Sequence, residues 1–293
     1  MTLPVLLGAN IDPTWADAQQ PVRLARRMDA AGLDLLTVQD HPYQSAFYDT
    51  WTLIGYLAAA TERVTLVPTV ANLPLRPPAI LAKSASSLHR LSGGRLQLGL
   101  GAGALWDAIA AMGGPRRTPG QAVDALDEAI DVIRAVWSDE RSVRFEGAYY
   151  RVKGLHPGPP AGPDLGIWLG AYGPRTLRMT GARADGWMPS LGFLPLDRLK
   201  DAVARVDDAA REAGRDPARL RKVYNLNGLI GTADSGTPFR GTVRQWIEQI
   251  TGLVRDFGMN AFVYWPDDDH ERQLALFAGE VAPAVREALA AAR

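Results

Sequence analysis

Short apolar segments and longer amphipathic segments alternate eight times along this chain of 293 residues. Each short segment has the composition of a buried strand, and each longer one has the spacing of a helix with one apolar face. Eight strand–helix units in a chain of this length predict an α/β fold of the (β/α)8, or TIM-barrel, type. A doubly wound sheet is the alternative, but it typically has fewer strands or a visible linker. The sequence contains no linker, so we predict a single domain over residues 1–293.

The boundaries of these units follow from the apolar runs and from the Pro and Gly residues beside them. The predicted strands cover residues 5–8, 34–38, 64–67, 95–100, 165–169, 186–189, 221–230 and 261–265. The helices that follow them cover residues 17–31, 50–61, 78–91, 119–137, 174–184, 195–214, 242–257 and 268–292.

One segment departs from the repeated unit. Residues 141–164, which precede predicted strand five, begin with an alternating stretch that turns at Gly147-Ala148 like a hairpin, and they continue into a run rich in Pro and Gly. We therefore expect an insertion beside the barrel. It is either a lid or wall of a pocket, or a plain surface elaboration.

The composition excludes several classes of function. Lys and Arg number 32, as do Asp and Glu, so the basic excess typical of nucleic-acid binding is missing. Cysteine is absent, which rules out disulfides, thiolate catalysis and Cys-bound metals. The N-terminus resembles a strand more than a signal peptide, and no stretch reaches the roughly 18 apolar residues that cross a bilayer. We expect a cytoplasmic protein with a small-molecule substrate and neither a nucleic-acid nor a membrane partner.

Glycine turns follow two adjacent strands of the predicted barrel, where the residues after each strand form the active-site rim. Gly101-Ala102-Gly103 follows predicted strand four, and Gly170-Ala171-Tyr172-Gly173 follows strand five. Both precede helices, so their amide groups could hold a phosphate, although small residues also permit tight turn packing. Arg175 and Arg178 could add charge there, or they could be ordinary surface residues.

The strongest candidate for chemistry is His41, which follows Asp40 directly after predicted strand two. A rim imidazole can donate to a carbonyl or cofactor oxygen, or act as an acid or base near neutral pH. Asp40 could orient this loop or bond a cofactor ring. The rim lacks a carboxylate cluster for glycoside cleavage, and the histidines are too scattered for an obvious metal site. Tryptophans near the rim could wall a flat ring; they are Trp51, Trp106, Trp168, Trp187 and Trp265.

Five motifs in this order resemble the bacterial luciferase-like family of flavin- and deazaflavin-dependent barrel oxidoreductases. The motifs are Gln39–Tyr43, Pro68–Asn72, Leu91–Arg95 leading into Gly99–Gly103, Phe145–Tyr150 and Gly170–Pro174. The resemblance covers nearly the whole chain.

The resemblance implies a cofactor ring over the mouth of the barrel. It implies a non-proline cis peptide bond between Thr69 and Val70 that supports the ring, and a bond from Asn72 to the ring's polar edge. It also implies that Gly101, Ala102 and Gly103, together with Tyr172 and Gly173, hold the phosphate through their backbone. Asp40 and His41 resemble the residues that face the deazaflavin in the branch that uses coenzyme F420, which favours F420 over FMN.

Several alternatives stay open. Reduced FMN and oxygen would make the protein a monooxygenase served by a separate reductase, and a barrel that binds a flavin without catalysis is another possibility. A phosphosugar enzyme without flavin would also suit the glycine turns. Ala104 replaces the Glu of the sugar-phosphate dehydrogenases of the F420 branch, which argues against that activity, and Asp107 lies in a different register. Family members commonly dimerise, and the apolar helix 50–61 is a candidate face for a homodimer.

Overall fold

A computed structural model describes residues 3–292 of the chain. The strands are β1 (Leu6–Asn10), β2 (Leu35–Val38), β3 (Thr65–Pro68), β4 (Ala71–Asn72), β5 (Leu98–Gly101), β6 (Val143–Glu146), β7 (Arg151–Leu155), β8 (Ile167–Leu169), β9 (Gly186–Trp187), β10 (Arg221–Ile230), β11 (Arg240–Gly241) and β12 (Ala261–Pro266). The α-helices are α1 (Gln20–Ala30), α2 (Thr50–Ala60), α3 (Pro78–Leu91), α4 (Trp106–Ala111), α5 (Pro119–Trp137), α6 (Pro174–Arg183), α7 (Leu196–Glu212), α8 (Val243–Phe257), α9 (His270–Leu276) and α10 (Ala282–Ala291).

The strands form a parallel barrel that is nearly closed. Neighbouring strands run in the order β3-β2-β1-β12-β10-β9-β8-β5-β4. A parallel bridge between Leu66 and Leu96 brings β3 back to the start of β5 and joins the two ends of the sheet. Because β4 continues the path of β3 after a two-residue interruption, the two act as one barrel strand. The predicted (β/α)8 barrel is thereby confirmed.

Two apolar layers hold the barrel together. The outer one packs the helices against the sheet, and the smaller inner one fills the barrel lumen with side chains that include Trp168, Met188 and Val263. The bulky inner residues need glycine on the adjacent strands. A Cβ at Gly186 would lie 2.6 Å from Trp168 Cδ1, and a Cβ at Gly99 would lie 2.0 Å from the Pro68 carbonyl oxygen. The glycines of β5 and β9 therefore make room for a filled lumen, as in other barrels of this type.

The segment before β8 contains an antiparallel hairpin, β6–β7. The Glu128 carboxylate on α5 accepts hydrogen bonds from the amides of Ala148, Tyr149 and Tyr150 at 2.7, 2.9 and 3.1 Å. The Arg117 guanidinium lies over both tyrosine rings, 5.3 and 5.4 Å from their centroids. These contacts fasten the turn of the hairpin to the body of the barrel; whether the hairpin walls a pocket stays a prediction.

Most predicted elements differ from the observed ones by no more than three residues at an end, and two differences stand out. β5 begins at Leu98 rather than Arg95, because the pairing before it is limited to the isolated bridge between Leu66 and Leu96; the Arg95 guanidinium bonds the carbonyls of Ala58 and Val64 at 2.8 and 3.2 Å. The predicted final helix is divided by a π-helical turn over Phe277–Val281. Among the helices of residues 3–292, none is both long enough and apolar enough to traverse a lipid bilayer.

Candidate functional site

The inner face of the barrel changes from apolar to polar toward the carboxyl ends of its strands. Alternation along β1 and β2 places Asn10 and Thr37 on the same inner face as the lumen residues Leu6 and Leu35. The Thr37 hydroxyl donates to Asn10 Oδ1 at 3.1 Å, and both side chains are buried. On β10, Asn225 Nδ2 donates to Ser190 Oγ at 3.0 Å. The polar layer marks this end of the barrel as the candidate site.

Asp40 is completely buried beneath the rim rather than facing the mouth. Its side chain has 0% exposed surface, and its two oxygens accept from Arg76 Nε and Nη2, both at 2.8 Å. Oδ2 also accepts from the backbone amide of Asn72 at 2.9 Å. Although burial opposes a charge there, Asp40 and Asp49 hold the pKa of Arg76 above its ordinary value. In this arrangement Asp40 ties the end of β2 to the end of β4.

His41 is half-buried at the end of β2, and its ring contacts Tyr43. His41 Nδ1 lies 2.7 Å from the Tyr43 hydroxyl. Burial lowers the pKa of His41, and the charge of Asp40 only partly offsets this; burial also raises the pKa of Tyr43. The pair is therefore neutral at pH 7. In the tautomer in which the Tyr43 hydroxyl donates to Nδ1, the ring proton is on Nε2, and His41 then offers a hydrogen-bond donor.

The Thr69–Val70 peptide bond is cis, as the resemblance implied. Val70 packs against the inner core at the top of the lumen. A Cβ at Gly101 would lie 2.4 Å from Val70 Cγ2, and one at Gly170 would lie 3.2 Å from Val70 Cγ1. Glycines on β5 and after β8 thus let the backbone of both segments approach the Val70 side chain closely. Asn72 follows, and its Oδ1 is buried without a hydrogen-bond partner among the described residues.

The first glycine turn has the geometry of a close-approach loop. Gly103 has a φ of +96°, and a Cβ there would lie 2.6 Å from Pro74 Cγ. Within residues 3–292, the backbone amides of Ala102 and Gly103 donate no hydrogen bond outside the strand ladder. These amides are consequently open to an anion at the mouth.

The second glycine turn is partly occupied by its own helix cap. The Gly173 amide donates to Thr176 Oγ1 at 3.2 Å, so a phosphate at this amide would have to replace that bond. The ring of Tyr172 lies 5.6 Å from that of Phe193, and burial raises the pKa of Tyr172. Arg175 pairs with Asp124 at 2.5 Å, and Arg178 lines a groove between α5, α6 and α7. The two arginines therefore lie outside this turn.

The sequence did not reveal a polar cluster on the side of the rim that faces the two glycine turns across the mouth. Asp12 follows β1, and its Oδ1 accepts from Asn10 Nδ2 at 2.8 Å and from Gln39 Nε2 at 3.1 Å. Its Oδ2 lies 3.2 Å from Nε2 of His270, which begins α9 after β12. His270 stands four residues beyond the end of its strand, in an Asp-rich run that looks like a solvated loop. Because β1 and β12 are neighbours in the barrel, the predicted strand order was the signal that could have brought Asp12 and His270 together.

The predicted tryptophans occupy different places. Trp168 and Trp265 belong to the lumen, and Trp106 lies beside Gly103. Trp51 is half-buried, with an indole nitrogen that has no partner within the described residues. Trp187 packs in the outer core and donates to the Ala171 carbonyl at 2.9 Å, so it cannot wall a ring at the mouth.

The circular order of the strands sets the layout of the mouth. The two glycine turns follow β5 and β8, and the cluster of Asp12 and His270 follows β1 and β12. In a ring of eight strands these pairs lie on opposite sides. His41 and the cis segment lie between them, after β2 and β3. The mouth therefore has an anion-accepting side, an opposite side with a carboxylate and an imidazole, and a glycine-lined floor around Val70.

Comparison with known proteins places the chain in a family. Residues 3–235 match the family model described as luciferase-like monooxygenase. A phthiodiolone/phenolphthiodiolone dimycocerosates ketoreductase of Mycobacterium tuberculosis is 37% identical over 193 residues, which are 64% of this chain and 49% of that protein. The chain thus spans about half the length of the curated relatives of this kind that it matches.

Solved structures share the fold at lower sequence identity. An F420-dependent secondary alcohol dehydrogenase in complex with an F420–acetone adduct has a TM-score of 0.84 at 20% identity, covering 97% of this chain and 100% of that one. The oxygenating constituent of 3,6-diketocamphane monooxygenase from Pseudomonas putida, in complex with FMN, has a TM-score of 0.77 at 21% identity, covering 96% and 99%. Because the family model matches most of the length of this chain, the chain belongs to the luciferase-like monooxygenase family.

Proposed function

We propose that this protein is an F420-dependent oxidoreductase that interconverts a ketone and a secondary alcohol by hydride transfer. The observation that carries the proposal is the locked arrangement at the ends of β2 and β4. Asp40 joins them through its 2.9 Å bond to the Asn72 amide, which holds the neutral donor His41 beside the cis segment. A fixed donor beside an apolar floor is what a hydride transfer to a carbonyl requires, because the developing oxygen charge needs a preorganised partner.

The residues present fit a ring with a phosphate-bearing tail. The open amides of Ala102 and Gly103 would hold the phosphate, and Val70 would support the ring from below. Asn72 Oδ1, buried without a partner in the described residues, offers an acceptor for a ring N–H. A bound deazaflavin would supply two-electron hydride chemistry, and the protein would supply position and electrostatics. His41 would donate from Nε2 to a cofactor or substrate oxygen.

The choice of ketone and alcohol rests on relatives found by two independent comparisons. One relative is named a ketoreductase, and a protein of the same fold is named a secondary alcohol dehydrogenase. The sugar-phosphate dehydrogenase activity is less well supported. Asp107, which stands near the position of the family's Glu, is highly exposed and pairs with Arg116.

The alternative is an FMN-dependent monooxygenase that receives reduced FMN from a separate reductase. It is kept because a protein of the same fold has been solved in complex with FMN. A non-catalytic flavin-binding barrel is a further alternative, which the preorganised rim does not favour. A homodimer through α2 also stays a proposal; Tyr56 on that helix is 60% exposed. Light scattering that finds only monomer would reject the dimer.

Equilibrium titration of the apo-protein with F420 and with FMN, side by side, tests the proposal. We expect tight binding of F420 and weak binding of FMN. A secondary alcohol such as 2-butanol should then bleach oxidised F420 in the absence of oxygen, and the His41→Gln variant should bind the cofactor but lose turnover. Tight binding of FMN alone, with labelled oxygen appearing in a product, would overturn the proposal in favour of the monooxygenase. Binding of neither at tens of micromolar would return the phosphosugar enzyme to consideration.

A further inference from the structure

Asp12 and His270 form a close contact at the mouth that the proposed function does not use. Their facing atoms, Oδ2 and Nε2, are 3.2 Å apart, and the side chains are 28% and 38% exposed. The pair is therefore open to a ligand, unlike Asp40 and its partner. The segment that matches the family model ends at residue 235, so His270 lies beyond it.

The hydrogen bonds define which nitrogen of His270 carries a proton. Nε2 lies 3.1 Å from the Pro266 carbonyl oxygen as well as close to the Asp12 carboxylate. A carbonyl oxygen can only accept, so Nε2 donates its proton to the Pro266 carbonyl, and the Asp12 carboxylate lies beside this N–H. In the neutral ring Nδ1 is consequently unprotonated, and it has no hydrogen-bond partner within residues 3–292. His270 thus presents a free acceptor, whereas His41 presents a donor.

The surrounding bonds hold the carboxylate firmly. Asp12 Oδ1 accepts from Asn10 and Gln39, so two amide donors hold this carboxylate, and the His270 ring lies against its other oxygen. Asn10 continues to Thr37 on the inner face of the barrel, which ties the pair to the lumen side of the rim. Asp269, directly before His270, has a φ of +42°. This left-handed residue turns the chain so that α9 begins with the imidazole beside the mouth.

We propose that His270 is a second catalytic residue, which exchanges a proton with the oxygen of the ketone or alcohol, and that Asp12 is its positioning residue. This proposal rests on the proposed function. In the reductive direction a hydride from the reduced deazaflavin bonds to the carbonyl carbon, and the carbon–oxygen π pair moves to the oxygen. The proton on Nδ1 of the imidazolium then bonds to that oxygen, giving the alcohol and a neutral ring. In the oxidative direction Nδ1 takes the hydroxyl proton.

The pair lies where a substrate could reach His270 while the cofactor stays bound. The candidate phosphate site follows β5 and β8, so the opposite side of the mouth, after β1 and β12, is where a substrate can lie without displacing the cofactor tail. The charged groups of the elements around His270 are mostly engaged with each other: Asp267 with Arg240, and Glu271 and Asp17 with Arg23. The remaining charged neighbours in its own segment are Asp268, Asp269 and Arg272.

Nitrogen–proton correlation spectra of labelled protein test the pair without any cofactor. We expect neutral His270 to carry its proton on Nε2, and the Asp12→Asn variant to change the balance between its two neutral tautomers. His156→Gln is the matched control, because that histidine lies on the hairpin and bonds the Arg141 carbonyl at 2.8 Å. A neutral His270 protonated on Nδ1, or a tautomer balance unaltered by Asp12→Asn, would contradict the assignment of Asp12 as the positioning residue of His270.

Kinetics with F420 and 2-butanol, and with reduced F420 and butanone, test the catalytic role. We expect His270→Gln to lower kcat about 100-fold with F420 affinity unchanged, as for loss of a general acid or base. The wild-type reductive rate should fall as the pH rises, because reduction of the ketone consumes a proton, and this dependence on pH should be lost in the variant. A kcat within threefold of wild type would reject the role. Failure of the wild type to bind F420 would instead reject the proposed function, while the spectra would still decide the pair.

Discussion

Two aspartates, Asp40 and Asp12, follow the first two strands of the barrel, and their surroundings are opposite. Asp40 has no exposed side-chain surface and is bound by the cation Arg76, whereas Asp12 is 28% exposed and is bound by neutral amides and an imidazole. The first arrangement fixes two strand ends together. The second leaves a titratable partner beside open solvent. The difference teaches that a carboxylate next in sequence to the proposed catalytic histidine, His41, can be fully engaged in holding strand ends together, while a carboxylate on another strand stays exposed to the mouth.

The largest expected effect is that of Asp40→Asn on stability. The variant leaves the largely buried Arg76 guanidinium without the carboxylate that binds both its Nε and its Nη2, and breaking a buried pair typically costs about 3–5 kcal/mol. Asp49 still contacts Arg76 at 2.6 Å, so we expect the lower end of this range. Chemical denaturation measures it, with Asp17→Asn in the exposed pair with Arg23 as the control, which should lose far less stability because water already solvates that pair. Equal losses in both variants would contradict the structural role of Asp40.

The next effect is that of Gly101→Ala, which tests the floor between the two sides. The new Cβ would lie 2.4 Å from Val70 Cγ2, so the cis segment has to shift. We expect a loss of about 1–3 kcal/mol in the free energy of unfolding, as for an overpacked core. F420 affinity should fall with it. The double variant with Val70→Ala should recover stability, and Gly55→Ala, with no atom within 4 Å of the new Cβ, is the control. Unchanged F420 affinity in Gly101→Ala would mean that the glycine-lined floor around Val70 does not contribute to cofactor binding.

Asp12→Asn should have a much smaller effect on stability than Asp40→Asn. Its partners are neutral amides and a partly exposed imidazole, and pairs of this kind contribute about 0–1 kcal/mol. The same denaturation experiment compares the two asparagine variants directly. If Asp12→Asn proved as costly as Asp40→Asn, the contrast between a structural and a chemical carboxylate would fail.

Much of the fold could be predicted from the sequence because the pattern of a buried strand and of the helix after it lies in consecutive residues. All eight barrel strands lie at or near the predicted positions, and the motif Pro68–Asn72 located the cis bond. Contacts between distant segments could not be predicted in this way. The pairing of Asp40 with Arg76 spans 36 residues. The pairing of Asp12 with His270 depends on the closure of the barrel, which brings the first and last strands together.

The last prediction concerns the protonation of His41 and gives the smallest effect. Burial holds its pKa below the ordinary value of 6.5, so the unfolded chain takes up a proton first as the pH falls. The stabilisation from a neutral His41 is therefore complete above pH 6.5 and is lost as the pH falls through 6.5 toward the folded-state pKa. Between about pH 8 and about pH 5, the His41→Gln variant should lose less stability than the wild type. The proton spectrum should show His41 titrating below pH 6.5; titration above that value would mean that its ring is charged at the mouth, and its role as a neutral donor would be wrong.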